Sequence, residues 1–239
     1  NGVYACRKHP AHIKLGLKIL VREMLSEVVE HIETVNLLFK VPLVVMECEL
    51  NALLASIEEE ASADTPVYLH LPAVTYDGDI TFGDHVWGIS GSKDGDAVTT
   101  FTGTVSIKGH DGNYADLSGI NFEGKGGIGL DAYCLVLLTD CNFTGWDTAA
   151  VAQNGAWVNA MECTFANNTV GLKFNTSMAY GTAPNYVNNT FTDNGTAVCI
   201  DSLPGNEVID FAGSVFSGND TDIENKADHA VDTAKATFE

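Results

Sequence analysis

The sequence predicts an all-β fold, a parallel β-helix of about seven or eight rungs preceded by a helical capping segment. Phe122, Phe143, Phe165, Phe191, Phe216 and Phe238 recur at spacings of 21, 22, 26, 25 and 22 residues. Each lies in a similar phrase, such as Cys141-Asn142-Phe143-Thr144-Gly145 or Ser214-Val215-Phe216-Ser217-Gly218. A period near 22 residues built from short β-type runs means one structural unit stacked on copies of itself. After each phrase, a Gly- or Asn-rich turn leads to a second run beginning with threonine: Thr148–Val151, Thr169–Phe174, Thr196–Ile200 and Thr221–Glu224. Strands this short form no stable hairpin alone, so each must pair with its counterpart one repeat away.

The elements follow in order. Residues 13–39 carry Leu20, Met24, Leu25, Val28, Val29, Ile32 and Val35 at helical spacing, with Glu23, Glu27, Glu30 and Glu33 on the other side, which predicts an amphipathic helix. Pro42 interrupts, Leu43–Glu49 reads as a short strand, and Leu50–Glu60 reads as a second helix with Leu50, Leu53, Leu54 and Ile57 on one face. Residues 1–62 are therefore assigned to a capping segment and residues 63–239 to the β-helix, because the first open rung needs a cover. Short strands are expected at Val67–Leu71, Asp79–Phe82, Val86–Ser90, Val98–Phe101 and Val105–Lys108, punctuated by Asp-Gly pairs.

Charge and cysteine usage narrow the function classes. The net charge is −20. Residues 1–40 carry six Lys/Arg against four Asp/Glu, whereas residues 41–239 carry six against twenty-eight. Such a body repels nucleic-acid phosphates and anionic membranes. No apolar run approaches the roughly 20 residues that span a bilayer, and no signal-peptide pattern is visible. Cys141 and Cys163 each stand two residues before a repeat phenylalanine, so both should face inward as small apolar thiols. The chain starts at Asn1 rather than Met and stops directly after a repeat phenylalanine; it reads as a piece of a longer protein.

The phenylalanine phrases, the asparagine-rich turns (Asn167-Asn168, Asn188-Asn189, Asn194, Asn219) and the opening Tyr68-Leu69-His70-Leu71-Pro72-Ala73-Val74-Thr75-Tyr76 carry a resemblance. Over about residues 50–239 the chain resembles the right-handed parallel β-helix proteins of the pectate-lyase-like class. That resemblance implies right-handed coiling. It also implies one of two functions: lysis or hydrolysis of acidic polysaccharides, or a noncatalytic role in surface proteins and adhesins.

The residues favour the second. Lyases of this class use an Arg or Lys base and often calcium, but no arginine occurs beyond residue 40. Lys173, on a repeat strand, is the best-placed base, and an ordinary solvated lysine is the expected reading. The Asn-Thr-Asp, Asp-Asp, His-Gly and Arg-Ile-Lys motifs of the hydrolases are absent. Gly126-Gly127-Ile128-Gly129-Leu130-Asp131 fits a calcium β-roll phrase, but it occurs once where such sites need consecutive copies. A glycine-rich turn is expected there, and neither a cofactor nor a metal site nor a catalytic residue is assigned. The Asn-x-Thr/Ser phrases at Asn142, Asn167, Asn175, Asn188, Asn194 and Asn219 read as turn and ladder residues.

For binding, the longest repeat inserts residues within Asn175–Asn185, and insertions in repeats map to recognition loops. The candidate binding residues are Trp146, Asp147, Tyr180 and Tyr186. The function expected is a noncatalytic extracellular or cell-surface module that binds carbohydrate or a protein partner. The alternative is a lyase or hydrolase of acidic polysaccharide.

Overall fold

A computed structural model describes residues 47–60, 66–108, 114–153, 155–177 and 185–239. The chain is a parallel β-solenoid of about seven turns, with three sheets that each stack rung on rung and, among the described residues, one helix, Glu47–Glu60, near the start. The expected amphipathic helix over 13–39 and Tyr180 lie outside the described residues. Among the described residues no helix is long and apolar enough to cross a membrane.

The first sheet stacks Val67–His70, Val86–Ser90, Tyr114–Ser118, Leu135–Thr139 and Trp157–Met161. The second stacks eight short strands, from Thr75–Tyr76 through Asn142–Thr144 and Thr190–Thr192 to Thr237–Phe238. The third stacks seven, from Ile80–Phe82 through Val170–Asn175 to Thr221–Asn225. Every pairing within these sheets is parallel and joins successive rungs, as short strands without hairpin partners require. Among the described residues a single antiparallel pair, Lys93–Asp94 with Ala97–Val98, stands off the stack, so Val98 leaves the strand expected over Val98–Phe101.

The phenylalanine repeat extends two rungs further than the phrases reveal. Tyr76, Phe101, Phe122, Phe143, Phe165, Phe191, Phe216 and Phe238 occupy one register position of the second sheet. From Phe122 onward the rings stack nearly parallel, with centroids 4.3 to 5.0 Å apart. At the head, Tyr76 is fully enclosed and its hydroxyl has no hydrogen-bond partner among the described residues. Burial pushes that phenol up to about 12. Because an unpaired buried hydroxyl costs its desolvation, Tyr76→Phe is expected to raise stability by about 1–2 kcal/mol in a denaturant titration. An unchanged or lowered midpoint would show that the hydroxyl has a partner.

Two corners frame each of these three-residue strands, and all but the one at Gly124 take left-handed backbone. Three residues before the phenylalanine stand Gly119, Asp140, Glu162, Asn188 and Gly213; two residues after it stand Gly145, Asn167, Asp193 and Gly218. All have φ between 51° and 79°. Only Gly, Asn and Asp adopt this region readily, which is the physical content of the Gly, Asn and Asp residues in the phrases.

The helix covers the open first rung with Leu50, Leu54 and Ile57, all buried. Its last turn is tied down by Glu58, whose carboxylate accepts the backbone N–H groups of Asp84 and His85 and pairs with His85 Nδ1 at 2.9 Å. The strand expected over Leu43–Glu49 is corrected at its described end, where residues 47–49 begin the helix.

Candidate functional site

The site is built on the corner that follows each phenylalanine. Three residues past Phe165, Asn168 donates Nδ2 to Phe143 O at 3.1 Å. Asn194 likewise donates to Phe165 O at 2.9 Å, and Asn219 to Phe191 O at 3.0 Å. Each Oδ1 in turn accepts from the rung before: Asn168 Oδ1 from Trp146 N, Asn194 Oδ1 from Asn168 N and Nδ2, Asn219 Oδ1 from Asn194 N and Nδ2. The result is a ladder of enclosed amides that satisfies the corner backbone without water.

Trp146 heads this ladder. It occupies the same place after Phe143, and its indole Nε1 donates to Phe122 O at 3.0 Å, as each asparagine does one rung on. The ring is buried. It fits because Gly124 and Gly129 lie beneath it, where an added Cβ would come within 2.2 Å and 3.0 Å of the indole. Asp147 follows at the surface, its Oδ2 accepting from Gly127 N at 2.7 Å.

Along the outer side of the ladder runs an open groove. Trp146, Asp147, Asn167, Thr169, Asp193 and Asp220 line it. Asn167, Thr169, Asp193 and Asp220 sit on three successive rungs and expose amide, hydroxyl or carboxylate groups at intervals set by the strand spacing of about 4.8 Å. Of the four candidate binding residues, the structure brings Trp146 and Asp147 together here. Tyr186 takes no part in that surface: it is enclosed, donates its hydroxyl to Val158 O at 2.6 Å, and packs edge-on against Phe174. Tyr180 lies outside the described residues. Asn167, Thr169, Asp193 and Asp220 were not singled out as binding residues from sequence, although their fixed offset from each phenylalanine marks them.

A second polar cluster lies on the outer face of the third sheet. Lys173 Nζ meets Asp201 Oδ2 at 2.9 Å, while Lys226 Nζ bridges Asp201 Oδ1 at 2.9 Å and Glu224 at 3.0 Å. Lys226 and Lys173 hold the Asp201 carboxyl down at about 2. Between these carboxylates sits Cys199, whose thiol is pushed up to about 12 by burial and by Asp201 and Glu224. A protonated thiol, and carboxylates already matched by two ammonium groups, make this a structural ion network rather than a base. Because the Asp201 pKa is depressed, its contribution to stability is full above about 3.8 and is lost as pH falls toward about 2. The stability gap between wild type and Asp201→Asn is therefore expected to stay constant above pH ~4 and to close below it. A gap independent of pH in acid titrations would contradict the pairing.

Two further constellations carry less. Ser90 Oγ lies 2.8 Å from His70 Nδ1, and Ser92 Oγ lies 3.0 Å from His70 Nε2. Ser92 donates to Leu71 O, so the ring donates to Ser92 and accepts from Ser90, a serine–histidine pair. The neighbouring amides of Gly91 and Ser92 are committed to Ser118 O and Thr99 Oγ1, so neither is free to serve as an oxyanion donor. The β-roll-like phrase is a turn, with Gly126 and Gly127 at φ 98° and 73°. Its Asp131 is engaged by Tyr133 and Gln153.

No family model, curated protein or solved structure matches the chain.

Proposed function

We propose that this chain is a noncatalytic, right-handed β-helix module of an extracellular or cell-surface protein, and that it binds neutral, hydroxyl-rich glycan in the groove beside the asparagine ladder. The observation that carries the reading is the groove itself, which offers polar side chains on successive rungs behind a rigid amide ladder. Sugar hydroxyls both donate and accept, so they suit the carboxylates of Asp147, Asp193 and Asp220 together with Asn167 and Thr169. The same carboxylates, on a chain of net charge −20, repel uronate polymers. Right-handed coiling is supported by the strong preference of parallel crossovers for that hand. Against the lyase alternative stands the pairing of Lys173 with Asp201, which ties the best-placed lysine into an ion pair.

A glycan array tests the proposal with the wild type and with Asp193→Gly/Asp220→Ala. Glycine is the residue that Gly145 and Gly218 already place at the position of Asp193, so the corner keeps its conformation. The expected result is binding to neutral oligosaccharides, weakened at least about tenfold in the double variant, as the loss of one or two hydrogen bonds implies. Binding that the double variant leaves unchanged would remove the groove as the site.

A further inference from the structure

The first sheet stops at Trp157–Met161. Further along that face, pairing resumes only as the two-residue ladder of Ile209–Asp210 with Val231–Asp232. Two residues before Val231 lies His229, 7% exposed. Its Nδ1 is 3.0 Å from Leu203 O, and its Nε2 is 2.7 Å from Glu207 O. The ring is held in that pose by Asn225, whose Nδ2 donates to His229 O at 2.7 Å and whose Oδ1 accepts from His229 N at 3.0 Å.

Both ring nitrogens therefore face carbonyl oxygens, and carbonyls only accept. A neutral imidazole has one N–H and one lone pair. Whichever tautomer it takes, a lone pair then points at a carbonyl oxygen within hydrogen-bond distance. The imidazolium donates at both positions and satisfies both carbonyls with charge-assisted bonds.

We propose that His229 is a proton-operated clamp, which in its charged form ties residues 203–207 of one rung to the turn 225–229 of the last. Loss of the proton turns one of the two bonds into a repulsive contact and frees that side of the loop. The clamp's contribution to stability is therefore present while the ring is charged and absent once it is neutral. On the clamped loop the titratable group is Glu207, one of whose carboxylate oxygens is enclosed without a hydrogen-bond partner. On the ring's own turn the groups are Lys226, engaged by Asp201 and Glu224, and Asp228. Asp210 and Asp232 of the adjoining ladder accept from the backbone amides of Ala212 and Ala234. None of these groups forms an ion pair with the ring among the described residues.

The reporters are the amides of Ile209 and Phe211, which donate to Ala230 O and Asp232 O across the ladder that the clamp supports. Hydrogen-exchange protection factors, corrected for intrinsic rates, are measured at pH 5.5 and pH 8 in the wild type and in His229→Gln. Protection of both amides is expected to fall at least about tenfold in the wild type between the two conditions, as loss of a charge-assisted bond implies. In His229→Gln it is expected not to change. Ring-nitrogen NMR of the wild type should show both nitrogens protonated where protection is high, a readout that does not depend on the variant folding. A singly protonated ring with full protection at both conditions would overturn the clamp. So would an equal fall in His229→Gln.

Discussion

Phe165→Ala is expected to lower the unfolding free energy by about 3–5 kcal/mol, the range for truncating an enclosed aromatic side chain. Phe165 is fully buried, with Phe143 and Phe191 stacked at 5.0 Å on either side and within 7° of parallel. The substitution removes two ring contacts at once and leaves a void between rungs whose backbone ladders resist collapse. In a solenoid each unit is held mainly by its nearest neighbours, so the damage should be local first. Denaturant titration should show the lost stability, and hydrogen exchange should place early opening in the rungs of Phe143, Phe165 and Phe191. Phe238 is the internal control: it is 48% exposed and stacks only on Phe216. Its truncation should cost about 1 kcal/mol. Equal effects at the two positions would mean that stacking through the column is not what holds the rungs.

Asn194→Ala should cost a similar amount for a different reason. The side chain is enclosed and makes four hydrogen bonds to three neighbours: it accepts from Asn168 N and Nδ2 and donates to Phe165 O and Asn219 Oδ1. Truncation leaves the Asn168 N–H buried without a partner, at roughly 1–3 kcal/mol, and takes from the Phe165 carbonyl the second of its two donors, at roughly 1 kcal/mol, for a total of about 2–4 kcal/mol. Asn194→Asp separates hydrogen bonding from packing, because it keeps the shape but replaces the donor with an acceptor. The aspartate should be destabilising at neutral pH and partly rescued in acid, where its protonated form can donate again. A benign Asn194→Asp at neutral pH would contradict the ladder as described.

Much of the architecture was legible because it is periodic. The phenylalanine phrases, the inward cysteines (Cys141 and Cys163 are buried) and the threonine-led strands repeat at one spacing, and a repeated spacing has one structural meaning. Tyr76 and Phe101 escaped because they lack the flanking phrase, although their register is the same. The turn asparagines were legible as corner residues but not as an enclosed ladder, since a polar residue at a turn ordinarily faces water.

The site was less legible. Trp146 is legible as a candidate binding residue, while its partners Gly124 and Gly129 belong to the rung before and show their purpose only when rungs are superposed. Tyr186 follows the long insertion and reads as loop, yet its hydroxyl returns to Val158 O, 28 residues earlier. Lys173 was correctly expected on a repeat strand. Its pairing with Asp201 depends on contact between neighbouring rungs, which no local pattern encodes.

The groove is tested most directly by titrating the isotope-labelled protein with cellohexaose, maltohexaose and mannohexaose, and with trigalacturonate as the acidic control, while following backbone amide shifts. The expected result is that at least one neutral hexasaccharide shifts the amides of Asp147, Thr169, Gly195 and Asp220 together, with trigalacturonate leaving them in place. Shifts confined to the Lys173–Lys226 face, or groove shifts produced by trigalacturonate alone, would contradict the proposed function.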